Sequence, residues 1–298
     1  MKLPVRIFDI EPKYYEECSE KGKVERIDYH TVNYDGAEMD KYAFVYTPYG
    51  YDPQKKYEIL YLIHGGGEDA EKYLFKDGEE NKLKRAIDNM IADKEIEPVI
   101  IVTPSPYPYN KIASLGLGHD NDFTSYFHNE MINDLLPAVE AKYHTYSDLK
   151  VDEQSLKAAR DHRYTMGWSM GCVTTWFTFL HRLDYFRHWG FMSMGCREIE
   201  KEHDIQWAHD TGKLIVEAIK EKGYDKKDFD MIEMTGTLDK AYDTLVMQTG
   251  ALFAYPDYFD FYSEDKNACF LTWPGGEHHT QWRLQYTINI IKAFFGRE

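Results

Sequence analysis

Cysteine is scarce in this chain: Cys18, Cys172, Cys196 and Cys269 stand far apart and none belongs to a CxxC pair. That excludes a thiolate zinc site and a dense disulfide framework, and Cys172, Cys196 and Cys269 read as small buried hydrophobes. Long apolar runs are missing as well, so no segment reaches transmembrane length. Residues 1–9 lack the apolar stretch of a secretory leader, which leaves either an intracellular protein or a secreted one whose leader has been removed. Basic charge is in deficit: 35 lysines and arginines against 51 acidic residues give a net charge of −16. Such a balance disfavours a general role on nucleic acid or anionic membrane, where basic side chains must neutralise phosphate. It also makes a soluble surface, to which a neutral or cationic ligand comes more easily. There is no internal repeat and no low-complexity segment, and no histidine has the partner spacing of a metal site. No metal and no cofactor is expected.

What is present begins with Gly167-Trp168-Ser169-Met170-Gly171. A serine between two glycines, entered from a strand and left through a helix, is how an α/β-hydrolase exposes its nucleophile. The turn is so tight that side chains two residues before and after the serine would strike neighbouring backbone. Residues 163–166 have the bulky, β-branched character of the incoming strand, and residues 172–180 read as a buried helix. Ser193-Met194-Gly195 repeats half of the pattern, but Phe191 stands where the first glycine is needed. Ser193 is therefore expected to end a core strand.

The rest of the 298 residues alternates in a way that fits one domain built on a mostly parallel sheet, with helices on both faces. Residues 24–33 and 42–47 read as an antiparallel hairpin at the sheet edge, turned at Asp35-Gly36. Tyr57 to Ile63 is a near-continuous apolar strand buried on both faces. Then come a helix near 81–93, a strand at 98–103, a long helix over 124–143, and the strand leading to Ser169. Strands near 188–193, 228–234 and 268–272 alternate with helices at 212–222, 241–252 and 282–295. Residues 1–23 form an N-terminal extension. The loop 104–122, with Tyr107 and Tyr109, and the charged stretch 196–211, with Trp207, either shape a cleft or decorate the surface; 196–211 is the candidate cleft insertion. Aromatic residues make up 15%, enough for some to line a site, and the candidates for substrate contact are Tyr107, Trp168, Trp207 and Trp282.

A serine hydroxyl needs a histidine to take its proton and a carboxylate to orient that histidine, and in this fold they follow the serine as acid, then base. Asp239 follows a strand in Thr235-Gly236-Thr237-Leu238-Asp239; Asp230 and Asp243 are less well placed. One of His278 and His279, in Gly275-Gly276-Glu277-His278-His279, is the base, with His278 preferred. Glu277 reads as a solvated loop charge. The oxyanion formed on attack needs backbone N–H donors. Met170 supplies one, and His64-Gly65-Gly66-Gly67-Glu68 supplies the other from Gly66, with Gly67 next.

Taken together, Pro48-Tyr49-Gly50-Tyr51, the His64 to Glu68 segment, Phe127 to Met131 leading to Leu136-Pro137-Ala138-Val139-Glu140, the serine motif, Gly236-Thr237-Leu238-Asp239 and Gly275 to His278 occur in the order seen in the esterase D-like group. The chain most resembles the feruloyl and acetyl xylan esterases of carbohydrate esterase family one, from about Lys41 onward. It departs from them at Cys172, where a second glycine is usual, and in the spacing of His278 to Trp282. The resemblance implies that Ser169, Asp239 and His278 are nucleophile, acid and base of a serine carboxylesterase. Its implied substrate is a small-molecule or oligosaccharide ester, chiefly a feruloyl ester of arabinoxylan. Acetyl xylan, siderophore and S-formylglutathione esterases share these motifs, and a silent scaffold that binds a glycan or protein is the reading from another class. Phe253, Tyr255 and Tyr258 either mediate a homodimer or complete the core.

Overall fold

The computed structural model describes residues 2–76, 79–80, 82–108, 120–199 and 201–297. Asn81 and Tyr109, both within segments named above, lie outside the described residues. Ten strands are seen among the described residues: β1 (Lys23–Val32), β2 (Glu38–Thr47), β3 (Glu58–Ile63), β4 (Phe75–Lys76), β5 (Glu79–Glu80), β6 (Val99–Thr103), β7 (Arg163–Trp168), β8 (His188–Met192), β9 (Asp230–Gly236) and β10 (Ala268–Trp273). Eight of them make one sheet in the order β1-β2-β6-β3-β7-β8-β9-β10, and β4 and β5 form a separate ribbon. From β6 to β10 every pairing is parallel, whereas β1 and β2 join antiparallel at one edge. This is the α/β-hydrolase arrangement that the serine motif implied.

Side chains on the central strands divide between two cores. Along β3, Ile59, Tyr61 and Ile63 enter one core and Leu60 and Leu62 the other, as the alternation of a strand buried on both faces requires. The first core is closed by α2 (Asp120–Glu130), α3 (Leu136–Glu140), α5 (Met170–Arg182), α6 (Ile205–Glu221) and α7 (Tyr242–Leu252). The second is closed by α1 (Lys82–Ala92) and α8 (Thr280–Phe295), together with Leu3, Ile7 and Tyr14 of the N-terminal extension. That extension is tied to α8 by Asn289, whose amide accepts from Phe8 N–H at 2.8 Å and donates to Phe8 O at 2.9 Å.

Three elements differ from expectation. The long helix over 124–143 is broken by a π-turn, Met131–Leu135, in which Leu136 N–H reaches back to Met131 O. Pro137, at the start of α3, has no N–H for a regular ladder, and the wider turn absorbs the gap. A short helix, α4 (Glu153–Ala158), was not foreseen, although Asp152 caps it by accepting from Ser155 N–H at 3.0 Å. Helix α6 starts at Ile205 and not at 212, because Asp204 accepts from Trp207 N–H at 2.7 Å and opens the helix there. The second part of the charged stretch 196–211, residues 205–211, is thus helical.

Three buried ion pairs lie inside the sheet layers. Arg163 and Glu140 are both fully buried and bidentate, at 2.7 and 3.0 Å, while the remaining Arg163 donor bonds Leu156 O and Tyr185 O. Lys41 meets Glu130, and Lys84 meets Asp88, in two further buried pairs. Glu233 on β9 has no basic partner among the described residues. It is 0 % exposed, and its side-chain partner among the described residues is the Thr249 hydroxyl, 3.4 Å from each carboxyl oxygen. Burial pushes its pKa from 4.5 up to about 8, so the carboxyl stays protonated at neutral pH.

Folding therefore takes up a proton at Glu233 between pH 4.5 and about 8, and its contribution to stability declines as pH rises through that window. Glu233→Gln is expected to leave the melting temperature nearly unchanged at pH 5 and to raise it by roughly 5 °C at pH 8. Thermal melts at the two pH values check this, and an equal shift at both would rule out a buried protonated carboxyl.

Candidate active site

Ser169 stands between β7 and α5 with φ 55° and ψ −120°, the strained conformation that lifts its Oγ out of the sheet. The flanking glycines are required by contact. A Cβ on Gly167 would lie 2.2 Å from Gly171 O, and one on Gly171 would lie 2.3 Å from Ile63 O and 2.5 Å from His64 O. Gly171 thus lets α5 press against the end of β3. The backbone is held on both sides, with Ser169 N–H donating to Met192 O at 2.9 Å and Ser169 O accepting from Val173 N–H at 3.1 Å. Ser193 is buried at the end of β8, as expected, yet it too has a left-handed backbone with φ 58°. No helix follows it directly, and its hydroxyl faces Thr235 at 3.5 Å.

The loops after β9 and β10 are laced together. Thr237 N–H donates to Trp273 O and Leu238 N–H to Gly276 O, at 3.0 and 2.9 Å. A Cβ on Gly236 would sit 2.1 Å from Gly276 O, so glycine permits this approach. The result brings Asp239 under His278, whose Nδ1 lies 2.9 and 3.1 Å from the two carboxyl oxygens. Ala241 N–H donates to Asp239 Oδ1 at 2.8 Å and fixes the carboxylate from the other side. His278 Nε2 lies 2.9 Å from Ser169 Oγ. Asp239 is buried, and the His278 ring stacks on Trp168 with centroids 4.7 Å apart. His279 instead precedes α8, and its Nδ1 accepts from Gln281 N–H, capping the helix. The two adjacent histidines thus part company, His278 meeting Asp239 and Ser169 and His279 capping α8.

Opposite the imidazole, the segment after β3 folds over the serine. A Cβ on Gly65 would strike the Trp168 ring at 2.7 Å, and one on Gly66 would meet Met170 Cγ at 3.2 Å. Gly66 and Met170 are therefore neighbours beside Ser169. In general, backbone N–H groups converging on one oxygen stabilise an oxyanion, and a carboxylate–imidazole–hydroxyl relay can move a proton onto and off a serine.

The aromatic candidates divide. Trp168 is buried and packs the base, and Trp282 is half-buried with its ring 6.0 Å from Trp273. Tyr107 is 1 % exposed, wedged beside His64 and Phe123. Trp207 is 0 % exposed, packed with Ala208 and Ala251, and its indole N–H donates to Ile199 O at 3.2 Å. Tyr107 and Trp207 fill the interior instead of lining a cleft, each packed against its neighbours. Tyr255 and Tyr258 pack against the core, whereas Phe253 is exposed. Glu277 is exposed, as expected of a loop charge. Missed from the sequence were Glu68 and Arg283, an ion pair joining the loop after β3 to α8. A carboxylate directly after three glycines was a signal for the first; no local pattern marks the second.

Among the described residues no cluster of histidine, cysteine or carboxylate side chains has the shape of a metal site. No described helix is long and apolar enough to cross a membrane. A cavity of about 660 Å³ lies at the opposite, amino ends of β7 to β9, lined by paired charges such as His188 with Asp230.

Comparison with known proteins matches residues 37–284 to the Esterase family model. The chain belongs to the Esterase family. It is accordingly a carboxylic ester hydrolase with the α/β-hydrolase fold. The esterase is 32% identical over 287 residues, 95% of its length, to endo-1,4-beta-xylanase Y of Acetivibrio thermocellus. It is 31% identical over 168 residues, 54% of its length, to an endo-1,4-beta-xylanase/feruloyl esterase of Xylanibacter ruminicola. The chain spans 24% and 20% of the length of these two relatives. A solved serine-to-alanine mutant of the feruloyl esterase module from Clostridium thermocellum, complexed with sinapinate, superposes with a TM-score of 0.83. It has 30% identity and covers 98% of this chain and 94% of that one.

The two adjacent histidines should separate cleanly in ester hydrolysis. His278→Ala is expected to lower kcat by on the order of 10³ or more, as loss of a triad base does. His279→Ala should keep kcat within about threefold and cost up to about 1 kcal/mol of stability through the lost cap. Steady-state kinetics with an aryl ester, beside thermal melts, check both, and the reverse ranking would reassign the base.

Proposed function

We propose that this esterase hydrolyses hydroxycinnamoyl esters, chiefly feruloyl groups on plant cell-wall arabinoxylan, by a Ser-His-Asp acyl-enzyme mechanism. The observation that carries the mechanism is the unbroken relay from Asp239 through His278 to Ser169 Oγ. His278 Nε2 takes the hydroxyl proton as Ser169 Oγ attacks the ester carbonyl. Asp239 holds the ring and stabilises the imidazolium that forms. The carbonyl oxygen, now an anion, is met by the N–H groups of Gly66 and Met170. Collapse breaks the bond to the sugar oxygen, which leaves with the proton from His278. A water molecule then repeats the sequence on the acyl-serine, releasing the acid and restoring Ser169.

Support for the acyl group comes from the relatives: one bears feruloyl esterase in its name, and another is a feruloyl esterase module holding sinapinate, itself a hydroxycinnamate. Support for a plant-wall ester comes from the same source, since both curated relatives are endo-1,4-beta-xylanases by name.

Methyl ferulate and an aryl acetate, assayed side by side, test the substrate. Turnover of methyl ferulate is expected, with an initial burst of released alcohol that Ser169→Ala abolishes while slowing turnover by on the order of 10³ or more. Hydrolysis of the acetate alone would replace the feruloyl reading with an acetyl esterase, and undiminished turnover in Ser169→Ala would overturn the mechanism.

A further inference from the structure

The candidate oxyanion loop is held by a clamp that reaches it from the far end of the chain. Glu68 closes the turn in two ways: its N–H donates to Gly65 O at 3.4 Å, and its Oε2 accepts from Gly65 N–H at 3.3 Å. Its other carboxyl oxygen receives Arg283 from α8, across 215 positions of sequence. Both side chains are largely withdrawn from solvent, at 12% and 13% exposure, so this pair is screened far less than a surface one. Gly65 O is also met by Nδ1 of the buried His64 at 2.8 Å. Burial pushes that ring's pKa down to about 4, so it stays neutral, and its Nδ1–H donates.

These contacts have a directional consequence. In a trans peptide the C=O of one residue and the N–H of the next point opposite ways. With Gly65 O drawn to His64 and Glu68, Gly66 N–H points the opposite way; a Cβ on Gly66 would meet Met170, and one on Gly65 would lie 3.4 Å from Ser169 Cβ. The same Arg283 guanidinium lies 4.6 Å from the Tyr73 ring centroid and 5.7 Å from that of Trp168. Trp168 in turn stacks on His278. One cation therefore touches the loop after β3, the strand before the nucleophile, and the helix after the base.

We propose that Glu68 and Arg283 are positioning residues for the oxyanion hole: Arg283 fixes the Glu68 carboxylate, Glu68 holds Gly65 from both sides, with its carboxylate on Gly65 N–H and its own N–H on Gly65 O, and the Gly65–Gly66 peptide so held aims Gly66 N–H at the oxygen of the tetrahedral intermediate. The proposal rests on the acyl-enzyme reading above. Acting through the Gly65–Gly66 peptide, their loss weakens stabilisation of the transition state while leaving ground-state binding in place.

The test uses Glu68→Ala, Arg283→Met, the double variant and Arg283→Lys in the full chain. Each is assayed for kcat, KM, melting temperature, affinity for a boronic acid that forms a tetrahedral adduct on serine, and inhibition by free ferulate. Glu68→Ala and Arg283→Met are each expected to lower kcat about 10- to 100-fold, with KM within about threefold. Boronate affinity should fall in parallel and ferulate inhibition should hold. The double variant should be little worse than the worse single one, because both act on one peptide, and Arg283→Lys should recover part of the loss. Wild-type kcat in both single variants, or a loss of activity that only tracks the unfolded fraction, would overturn the proposal. These outcomes are distinct from failure of the underlying reading, which would appear as undiminished turnover in Ser169→Ala.

Discussion

The reversal of the chain at Ser169 is the constraint on which the other parts of the site depend. A non-glycine residue at φ 55° is strained by an amount on the order of 1–3 kcal/mol. The strain persists because β7 lies in the middle of the sheet and α5, which follows at once, is buried along most of its length. The two missing side chains at Gly167 and Gly171 let strand, helix and the end of β3 come into direct backbone contact. Ser169 and the loop after β3 are therefore set by one packing arrangement, and neither can shift without the other.

A second level of order comes from polar groups placed inside the layers. Arg163 starts β7 and, with Glu140 at the end of α3, ties the amino end of that strand to the helices above it. Lys41 with Glu130, and Lys84 with Asp88, do the same for β2 against α2 and for the tyrosine of β2 against α1. A buried pair of this kind contributes little net stability, but removing one partner strands the other charge in a dry interior. Their value here is in fixing which helix lies over which strand. Glu233 follows the alternative course, remaining uncharged in the folded state because burial, with only a hydroxyl beside it among the described residues, disfavours the carboxylate.

At the other end of the sheet the catalytic candidates are brought together by loops and not by regular elements. Asp239 and His278 lie in the loops after adjacent strands, and the close approach of Gly236 to Gly276 is what brings the carboxylate under the imidazole. Glu68 and Arg283 add a cross-link between the loop after β3 and the helix after the base. The charged network thus surrounds the proton relay without entering it.

Much of this was legible in order along the chain. The Ser169 turn could be read because its requirement is local: five consecutive residues contain the whole steric argument. Asp239 and the histidine pair followed from their places after strands, and the alternation of apolar runs announced the parallel sheet. The start of α6 at Ile205 was also written locally, in the cap Asp204, but charge around it masked the helical period. Tertiary structure alone decided what depends on contacts between distant segments: that Tyr107 and Trp207 point into the interior, that His278 reaches the serine while His279 caps a helix, and that Arg283 finds Glu68. The physical reason is that backbone conformation is encoded by near neighbours. The direction of a side chain, and the partner that meets it, are fixed only when separate elements pack.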